Sequence, residues 1–140
     1  MTTYTTHITI DASQEAIWPT LIDVTKWPEW TPTVDRLEVL DSAPLKLGNR
    51  YKLFQPKLRP AIWTVTLLEP PAQFNWEASL PGTKMVAEHI LKPLGPDRTE
   101  LILHVTFEGL VGKLISLLYG KLTESYVVTE GQSLKARVES

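Results

Sequence analysis

The chain has 140 residues, of which 43% are hydrophobic, and 16 acidic against 14 basic side chains give a net charge of −2. This size and apolar content suffice for one hydrophobic core, so we expect a single domain over residues 1–140. The even charge balance disfavours binding to nucleic acid, and the absence of cysteine excludes disulfides, thiolate nucleophiles and thiolate metal sites.

Hydropathy predicts neither a secretion signal nor a membrane span. The start, Met1-Thr-Thr-Tyr, has no basic region followed by an apolar core, so we expect the mature chain to begin here and to be cytoplasmic. The most apolar run, from Leu110 to Tyr119, is about half as long as a spanning helix requires and contains Lys113. We therefore expect no membrane span.

The first predicted elements are a strand and a short helix. Tyr4 to Ile10 alternates polar and apolar side chains, which is typical of a half-buried strand. Asp11 or Ser13 then precedes a short apolar run, as expected of a capped helix. Pro19 lies inside this run and predicts a kink or a break, because proline removes a helix hydrogen bond.

The segment after this helix, Lys26-Trp-Pro-Glu-Trp-Thr-Pro, is too stiff and too aromatic for a solvated linker. We expect it to pack against the rest of the domain. Trp27 and Trp30 either pin this connection onto a sheet or form an aromatic gate, and the first role is favoured.

Six further strands are predicted from alternation and from turn residues such as Pro81-Gly82. The first two are expected at Arg36 to Asp41 and Asn49 to Gln55, and the clearest is the last, around Leu101 to Phe107. The apolar side chains that share the inner face of these strands are Leu37, Tyr51, Leu53, Trp63, Val65, Leu67, Phe74, Trp76, Met85, Ala87, His89, Leu91, Leu103 and Phe107.

A long helix from Gly112 to Ser140 is predicted to end the chain. At about 1.5 Å per residue it would reach roughly 35 to 40 Å, enough to lie diagonally across the concave face of a curved antiparallel sheet. Its predicted inward stripe comprises Ile115, Leu118, Leu122, Tyr126, Thr129, Ser133 and Ala136.

The predicted stripe turns polar midway, where Tyr126 is followed by Thr129 and Ser133 with Glu130 beside them. Buried hydroxyls and carboxylates need partners, so one hypothesis is an amphipathic cavity with a polar end. The alternative is that Gly131 loosens the helix and that these side chains meet solvent.

These features resemble the helix-grip fold of the START-like, polyketide cyclase/dehydrase and lipid transport superfamily, which includes the Bet v 1-type pollen allergens. The resemblance covers essentially the whole chain, which is similar to small bacterial members, and Pro19 is a departure from the family pattern. It implies an α+β fold with a curved antiparallel sheet of about seven strands around the C-terminal helix and one or two short helices after the first strand. The segments that carry it are Ala12-Ser-Gln-Glu-Ala-Ile-Trp18, Asp23, Trp27-Pro-Glu-Trp30-Thr-Pro32, Leu68-Glu-Pro-Pro-Ala-Gln-Phe74-Asn-Trp76, Glu88-His89, Thr99, Phe107-Glu-Gly109 and Leu134-Lys135.

The resemblance implies a hydrophobic cavity, whereas the same pattern without it fits a filled core equally well. If the cavity is open, we expect a small hydrophobic or amphipathic ligand, bound without a cofactor by a monomer or homodimer. The candidate ligand-binding residues are Tyr51, Leu53, Trp63, Phe74, Trp76, Met85, His89, Leu103, Phe107, Leu118, Leu122, Tyr126 and Thr129.

His89 is the one candidate for catalysis, because alternation places it inward and imidazole exchanges protons near neutral pH. A structural histidine, hydrogen-bonded in the core, is the more common case, so no catalytic residue is assigned. His104 has outward parity and His7 lies in the first strand, which argues against a three-histidine metal site, and we expect no metal.

Three functional hypotheses remain open at this stage. The leading one is binding, carriage or sensing of a lipid-like or aromatic molecule in an internal cavity. The second is a cofactor-free polyketide cyclase or dehydratase in which His89 acts as acid and base, aided by Tyr51, Tyr126 or Thr129. The third is a protein-interaction module with a filled core and an exposed segment from Leu110 to Tyr119.

Overall fold

The computed structural model describes residues 2–140, which form a seven-stranded antiparallel sheet and two α-helices. The predicted α+β helix-grip architecture is confirmed. The elements, in chain order, are β1 (Thr2–Ile10), α1 (Gln14–Ile22), a 3-10 helix (Val24–Glu29), β2 (Arg36–Val39), β3 (Arg50–Phe54), β4 (Ala61–Glu69), β5 (Gln73–Leu80), β6 (Thr83–Gly95), β7 (Arg98–Glu108) and α2 (Gly112–Glu139).

The strands lie in the order β1-β7-β6-β5-β4-β3-β2, so the first strand pairs with the last. In this register Tyr4 lies opposite Val105, and Trp76 lies opposite Ala87. Alternation places the predicted inner residues of β3, β5, β6 and β7 toward the core, because successive side chains in a strand point to opposite faces.

One strand departs from the predicted alternation. In β4 the register shifts between Val65 and Leu67, so that Val65 pairs with Trp76 and Leu68 pairs with Phe74. The extra residue of this bulge reverses the parity of the remainder of the strand. The prediction that Leu67 shares the face of Trp63 and Val65 is therefore wrong, and Leu68 packs against the core instead.

Helix α1 begins at the predicted cap, since the Ser13 hydroxyl oxygen accepts a hydrogen bond from the Ala16 amide at 3.2 Å. The predicted break at Pro19 does not occur, because the helix continues to Ile22. The carbonyl that Pro19 leaves without a helical donor is that of Glu15, and both residues are exposed, so water can take its place. The following 3-10 helix is packed as expected, with Trp27 buried and its indole N–H donated to the Leu21 carbonyl at 2.9 Å.

Helix α2 is rotated by about one residue from the predicted orientation. Its buried side chains are Gly112, Ser116, Gly120, Val127, Gly131 and Leu134. The inward position predicted for Leu118 is wrong, since this side chain is 69% exposed, and Ala136 also faces solvent. The physical reason is volume, because the Tyr4 ring of β1 lies against Gly120 and the backbone of β7 at Phe107 lies against Gly112, so small residues are needed on this side of the helix.

No helix formed by residues 2–140 is long and apolar enough to cross a membrane.

Candidate ligand cavity between the sheet and the C-terminal helix

The placement of α2 leaves part of the concave face uncovered. The helix packs mainly against β1 and β7, at one side of the sheet, with a further contact to α1. The inner side chains of β3 to β6 therefore face a space that the helix only partly fills. The Tyr126 hydroxyl spans it by donating a hydrogen bond to the Pro56 carbonyl, in the loop that follows β3.

The inner chamber of this space has a volume of about 80 Å³, enough for several water molecules. Aromatic and aliphatic residues form most of its wall. The polar residues among them are Gln55, Glu88, His89, His104, Thr123, Tyr126 and Glu130. Eight predicted binding residues line it: Leu53, Trp63, Trp76, Met85, His89, Leu103, Phe107 and Tyr126.

The outer chamber has a volume of about 260 Å³ and shares walls with the inner one. The shared residues are Gln55, Leu58, Trp63, Met85, Phe107 and Thr123. Ile115 and Tyr119 of α2 close one side, whereas Arg59 and Ala61 lie on the other. The two chambers therefore adjoin each other in the space between the sheet and α2.

Five predicted binding residues do not line either chamber. Tyr51 and Phe74 are fully buried behind the wall, where the Tyr51 hydroxyl donates to the Ser42 carbonyl at 3.1 Å. The cavity wall does not include Leu118, Leu122 or Thr129, because α2 is rotated relative to the predicted orientation.

The sequence did not predict several of the residues that line the cavity. Those on α2 were missed for a single reason. Thr123, Val127 and Glu130 lie next to the predicted stripe, on the face that the rotation turns inward. Leu58 and Arg59 belong to the loop between β3 and β4, for which periodicity gives no orientation. Gln55 lies in the same loop, because β3 ends at Phe54, one residue before the predicted end of the strand. The loop prolines gave no indication that this segment would border a cavity.

His89 is buried, with 4% of its surface exposed, and its ring stacks on that of Phe74 with centroids 4.1 Å apart. Its Nδ1 lies 3.1 Å from the Phe74 carbonyl oxygen. A carbonyl oxygen only accepts hydrogen bonds, so Nδ1 carries a proton and donates it. In the neutral ring this tautomer leaves Nε2 as an acceptor.

The acceptor Nε2 of His89 faces Glu130 Oε1 at 3.6 Å. Oε1 is enclosed and has no hydrogen-bond partner within residues 2–140. Two acceptors that face each other without a proton are unfavourable, whereas one proton between them would satisfy both atoms. The pair therefore presents two hydrogen-bond acceptors that a donor group placed between them could satisfy.

Two tyrosines near the cavity hold their protons more firmly than usual. Burial raises the pKa of Tyr126, and the negative charge of Asp35 raises it further. Burial likewise raises the pKa of Tyr51, although a hydrogen bond involving Asn49 opposes the shift. Both phenols therefore act as neutral hydrogen-bonding groups at physiological pH.

Metal-ligating side chains are scattered, and within residues 2–140 no three of them are grouped so as to hold an ion. His7 lies 3.7 Å from Glu100 on the surface, and His104 is hydrogen-bonded to Thr5 at 2.7 Å. Both His89 and His104 border the inner chamber, and of the two only His89 is buried.

Comparison with known proteins identifies a family and structures of similar fold. Residues 1–139 match the family model described as polyketide cyclase/dehydrase and lipid transport. A START superfamily protein from Mycobacterium smegmatis has a similar structure, with a TM-score of 0.75, 20% identity and coverage of 98% of this chain and 97% of that one. An aromatase/cyclase from a Streptomyces species gives a TM-score of 0.79 at 18% identity, with 99% and 93% of the chains covered. A hypothetical protein from Helicobacter pylori gives 0.81 at 13% identity, with 98% and 88% covered. No curated protein shows significant sequence similarity to the chain.

Proposed function

Since the chain belongs to the polyketide cyclase/dehydrase and lipid transport family, we propose that it binds a small, largely apolar molecule in the two-chambered cavity. The observation that carries this proposal is the pair of adjoining chambers, which are walled by aromatic and aliphatic side chains with a few polar groups. Such walls give affinity through burial of apolar area, and their few polar groups orient the ligand.

The polar groups define the chemistry that the ligand should carry. Glu130 lines the inner chamber with 17% of its side chain exposed, and a carboxylate accepts hydrogen bonds but repels anions. The inner end of the cavity therefore favours a neutral hydroxyl over a carboxylate. At the outer chamber, Arg59 supplies a positive charge that suits an acidic group at the other end of the ligand.

The buried polar atoms support a ligand with both a donor and an acceptor. Besides Glu130 Oε1, the indole N–H of Trp63 is enclosed and has no partner within the described residues. Each unsatisfied group of this kind costs about 1 to 3 kcal/mol. A bound molecule that pairs with either atom after a small side-chain rotation would recover part of that free energy.

The direct test compares binding of naphthol and naphthoate, which share a ring system but differ in charge. Both should quench the fluorescence of Trp27, Trp63 and Trp76, which line the inner chamber. We expect naphthol to bind about tenfold more tightly near neutral pH, a difference of about 1.4 kcal/mol, because the Glu130 carboxylate repels the negative charge of naphthoate. The variant Glu130→Gln should reduce this preference.

Ala87→Leu places extra volume in the wall of the inner chamber and should weaken naphthol binding. The matched control is Ala136→Leu, the same substitution at an exposed position of α2. Unchanged binding in a folded Ala87→Leu variant would contradict the proposal. Native mass spectrometry followed by organic extraction would then identify any molecule that co-purifies with the wild-type protein.

A second candidate function is acid–base catalysis without a cofactor, favoured by the fixed tautomer of His89 and by Glu130 facing its Nε2. A group poised to take and return a proton at the end of an apolar cavity fits cyclisation or dehydration of a polyketide-like substrate. The test is turnover of such a substrate, followed by mass spectrometry. His89→Gln should abolish product formation but leave binding in place, and persistent turnover would contradict this candidate.

A further inference from the structure

We propose that the inner chamber is a site for a primary ammonium group, carried by a ligand whose apolar body extends toward the adjoining outer chamber. This inference rests on the proposed function, because it assigns a chemical class to the ligand that the two chambers hold. Its basis is a pair of buried hydrogen-bond acceptors, His89 Nε2 and Glu130 Oε1, at the inner end of the space between the sheet and α2.

The geometry of this acceptor pair decides how many donors the ligand must supply. His89 Nε2 and Glu130 Oε1 are 3.6 Å apart, so a single atom between them can lie within hydrogen-bond distance, about 2.9 Å, of both. A hydroxyl group carries one hydrogen and would leave one of the two acceptors without a partner. A primary ammonium group carries three N–H donors, as the lysine side chain does, and can therefore satisfy both acceptors from one nitrogen.

The charges around the inner chamber favour a cation over a neutral donor. The residues that line this chamber include Glu88 and Glu130 but no lysine or arginine. Within residues 2–140, no lysine or arginine forms an ion pair with Glu130. A buried carboxylate without a countercharge is unfavourable, and a bound ammonium group would supply that countercharge.

The surroundings of the acceptor pair strengthen this interaction. Trp27 and Trp76, whose ring centroids are 5.3 Å apart, line the inner chamber together with aliphatic side chains. A charge-assisted hydrogen bond is stronger among such side chains than in water, because the local dielectric constant is low. The aromatic wall therefore increases the advantage of a charged donor over a neutral one.

The two chambers differ in charge and in size, and both differences orient the ligand. Arg59 lines the outer chamber but not the inner one, so it repels an ammonium group at the outer end and favours its position at the inner end. The inner chamber, of about 80 Å³, suits a small head group such as an aminomethyl group. The outer chamber, of about 260 Å³, offers Leu58, Leu80 and Ile115 to an apolar body. The ligand class is therefore an amine with an aromatic or aliphatic body.

The test compares three probes that share a naphthalene ring, namely naphthylmethylamine, naphthylmethanol and naphthylmethyl-trimethylammonium. Isothermal titration calorimetry near neutral pH, where the primary amine is protonated, measures the three dissociation constants. We expect the amine to bind about tenfold more tightly than the alcohol, because charge-assisted hydrogen bonds are about twice as strong as neutral ones. The trimethylammonium probe should bind about tenfold more weakly than the amine, since it has the charge but no N–H donor.

The variant Glu130→Gln tests the acceptor directly. The preference for the amine over the alcohol should fall from about tenfold to about one, because the side chain keeps its size but loses its negative charge. Glu124→Gln is the matched control, since Glu124 is an exposed carboxylate on the same helix, and this variant should keep the full preference. The comparison of the three probes on the wild-type protein does not depend on the folding of either variant.

Equal binding of the amine and the alcohol would overturn this inference, and it is the result expected if His89 carries a proton on both nitrogens and already pairs with Glu130. Equal binding of the two cationic probes would also overturn it, because N–H donation would then contribute nothing. A preference for the amine that persists in Glu130→Gln would do the same. If naphthol binds but the amine has no advantage over the alcohol, the proposed function stands and only this inference fails. Absence of binding by every probe would reject both.

Discussion

The two halves of α2 differ in which side chains face the sheet and which face outward. In residues 112–123 the side facing the sheet carries Gly112, Ser116 and Gly120, and large apolar side chains face outward. In residues 124–139 the order is reversed, because Val127 and Leu134 are buried and most outward side chains are polar. Apolar surface therefore stabilises the fold in the second half, whereas in the first half it faces the cavity mouth and solvent.

Polar contacts follow the same division. In the second half, Lys135 donates to the Thr9 carbonyl at 2.7 Å, and the Glu139 carboxylate accepts from the Asp11 amide at 2.8 Å. In the first half, the Tyr4 hydroxyl donates to the Ser116 carbonyl at the longer distance of 3.4 Å. The difference teaches that the shorter polar contacts, which hold the helix against β1 and the turn after it, are at its C-terminal half.

The largest expected difference concerns two leucines, one in each half. Leu134→Ala should lower the free energy of unfolding by about 3 kcal/mol, because it removes a fully buried side chain and leaves a cavity. Leu117→Ala should change it by less than about 0.5 kcal/mol, because the side chain is exposed. Urea denaturation of both variants measures this, and similar losses would contradict the division of the helix.

A smaller difference is expected between two glycines that face the sheet. A Cβ at Gly120 would collide with the Tyr4 hydroxyl, whereas one at Gly131 would lie 3.3 Å from a Thr6 methyl group. Gly120→Ala should therefore destabilise by about 1 kcal/mol even though alanine favours helix. Gly131→Ala should be neutral or slightly stabilising.

Thermal unfolding of the two glycine variants distinguishes these outcomes. If Gly120→Ala were as stable as Gly131→Ala, the first half of α2 would be free to move away from β1. The close contact between Gly120 and the Tyr4 ring would then not be what orients this half of the helix.

The smallest expected effect is a dependence on pH at the C-terminal end. Hydrogen bonds from the Asp11 amide and from Lys135 hold the pKa of Glu139 below its usual value of 4.5. A carboxyl group with a lowered pKa stabilises the fold above its unfolded pKa, and this stabilisation is lost as the pH falls through the folded pKa. Glu139→Gln should therefore slightly lower the melting temperature at neutral pH.

The melting temperatures of wild type and Glu139→Gln should converge as the pH falls below about 4.5. Glu124→Gln is the control, because Glu124 is exposed on the same helix and forms no ion pair within the described residues. A constant difference across the pH range would show that the Glu139 carboxylate charge contributes nothing.

Strand alternation predicted most of the sheet side of the cavity. Side chains alternate between the two faces of a strand, and the opposite assignment would expose the large apolar side chains to solvent. Alternation therefore predicts the inward positions of Trp63, Trp76, Met85 and His89. The exception is β4, where the bulge after Val65 leaves no mark in the pattern of residue types. A bulge depends on how the neighbouring strand pairs, which a single strand does not record.

The helix side of the cavity was predicted less well. Its leucines formed an apparent inward stripe at Leu118 and Leu122, but the helix presents Thr123, Val127 and Glu130 to the cavity instead. Glycine and serine at intervals of four residues marked the true contact face, although they carry little weight in a hydrophobic pattern.

The sequence by itself determined the order of the elements, the parity of most strands and the presence of a long terminal helix. These depend on local periodicity, capping and turn residues, which a chain carries regardless of its partners. Only the tertiary structure decided the rotation of α2, the opening between α2 and the strands from β3 to β6, and the meeting of His89 with Glu130. Those features depend on which volumes fit together across the sheet, and His89 and Glu130 are brought within 3.6 Å by packing between elements far apart in the chain.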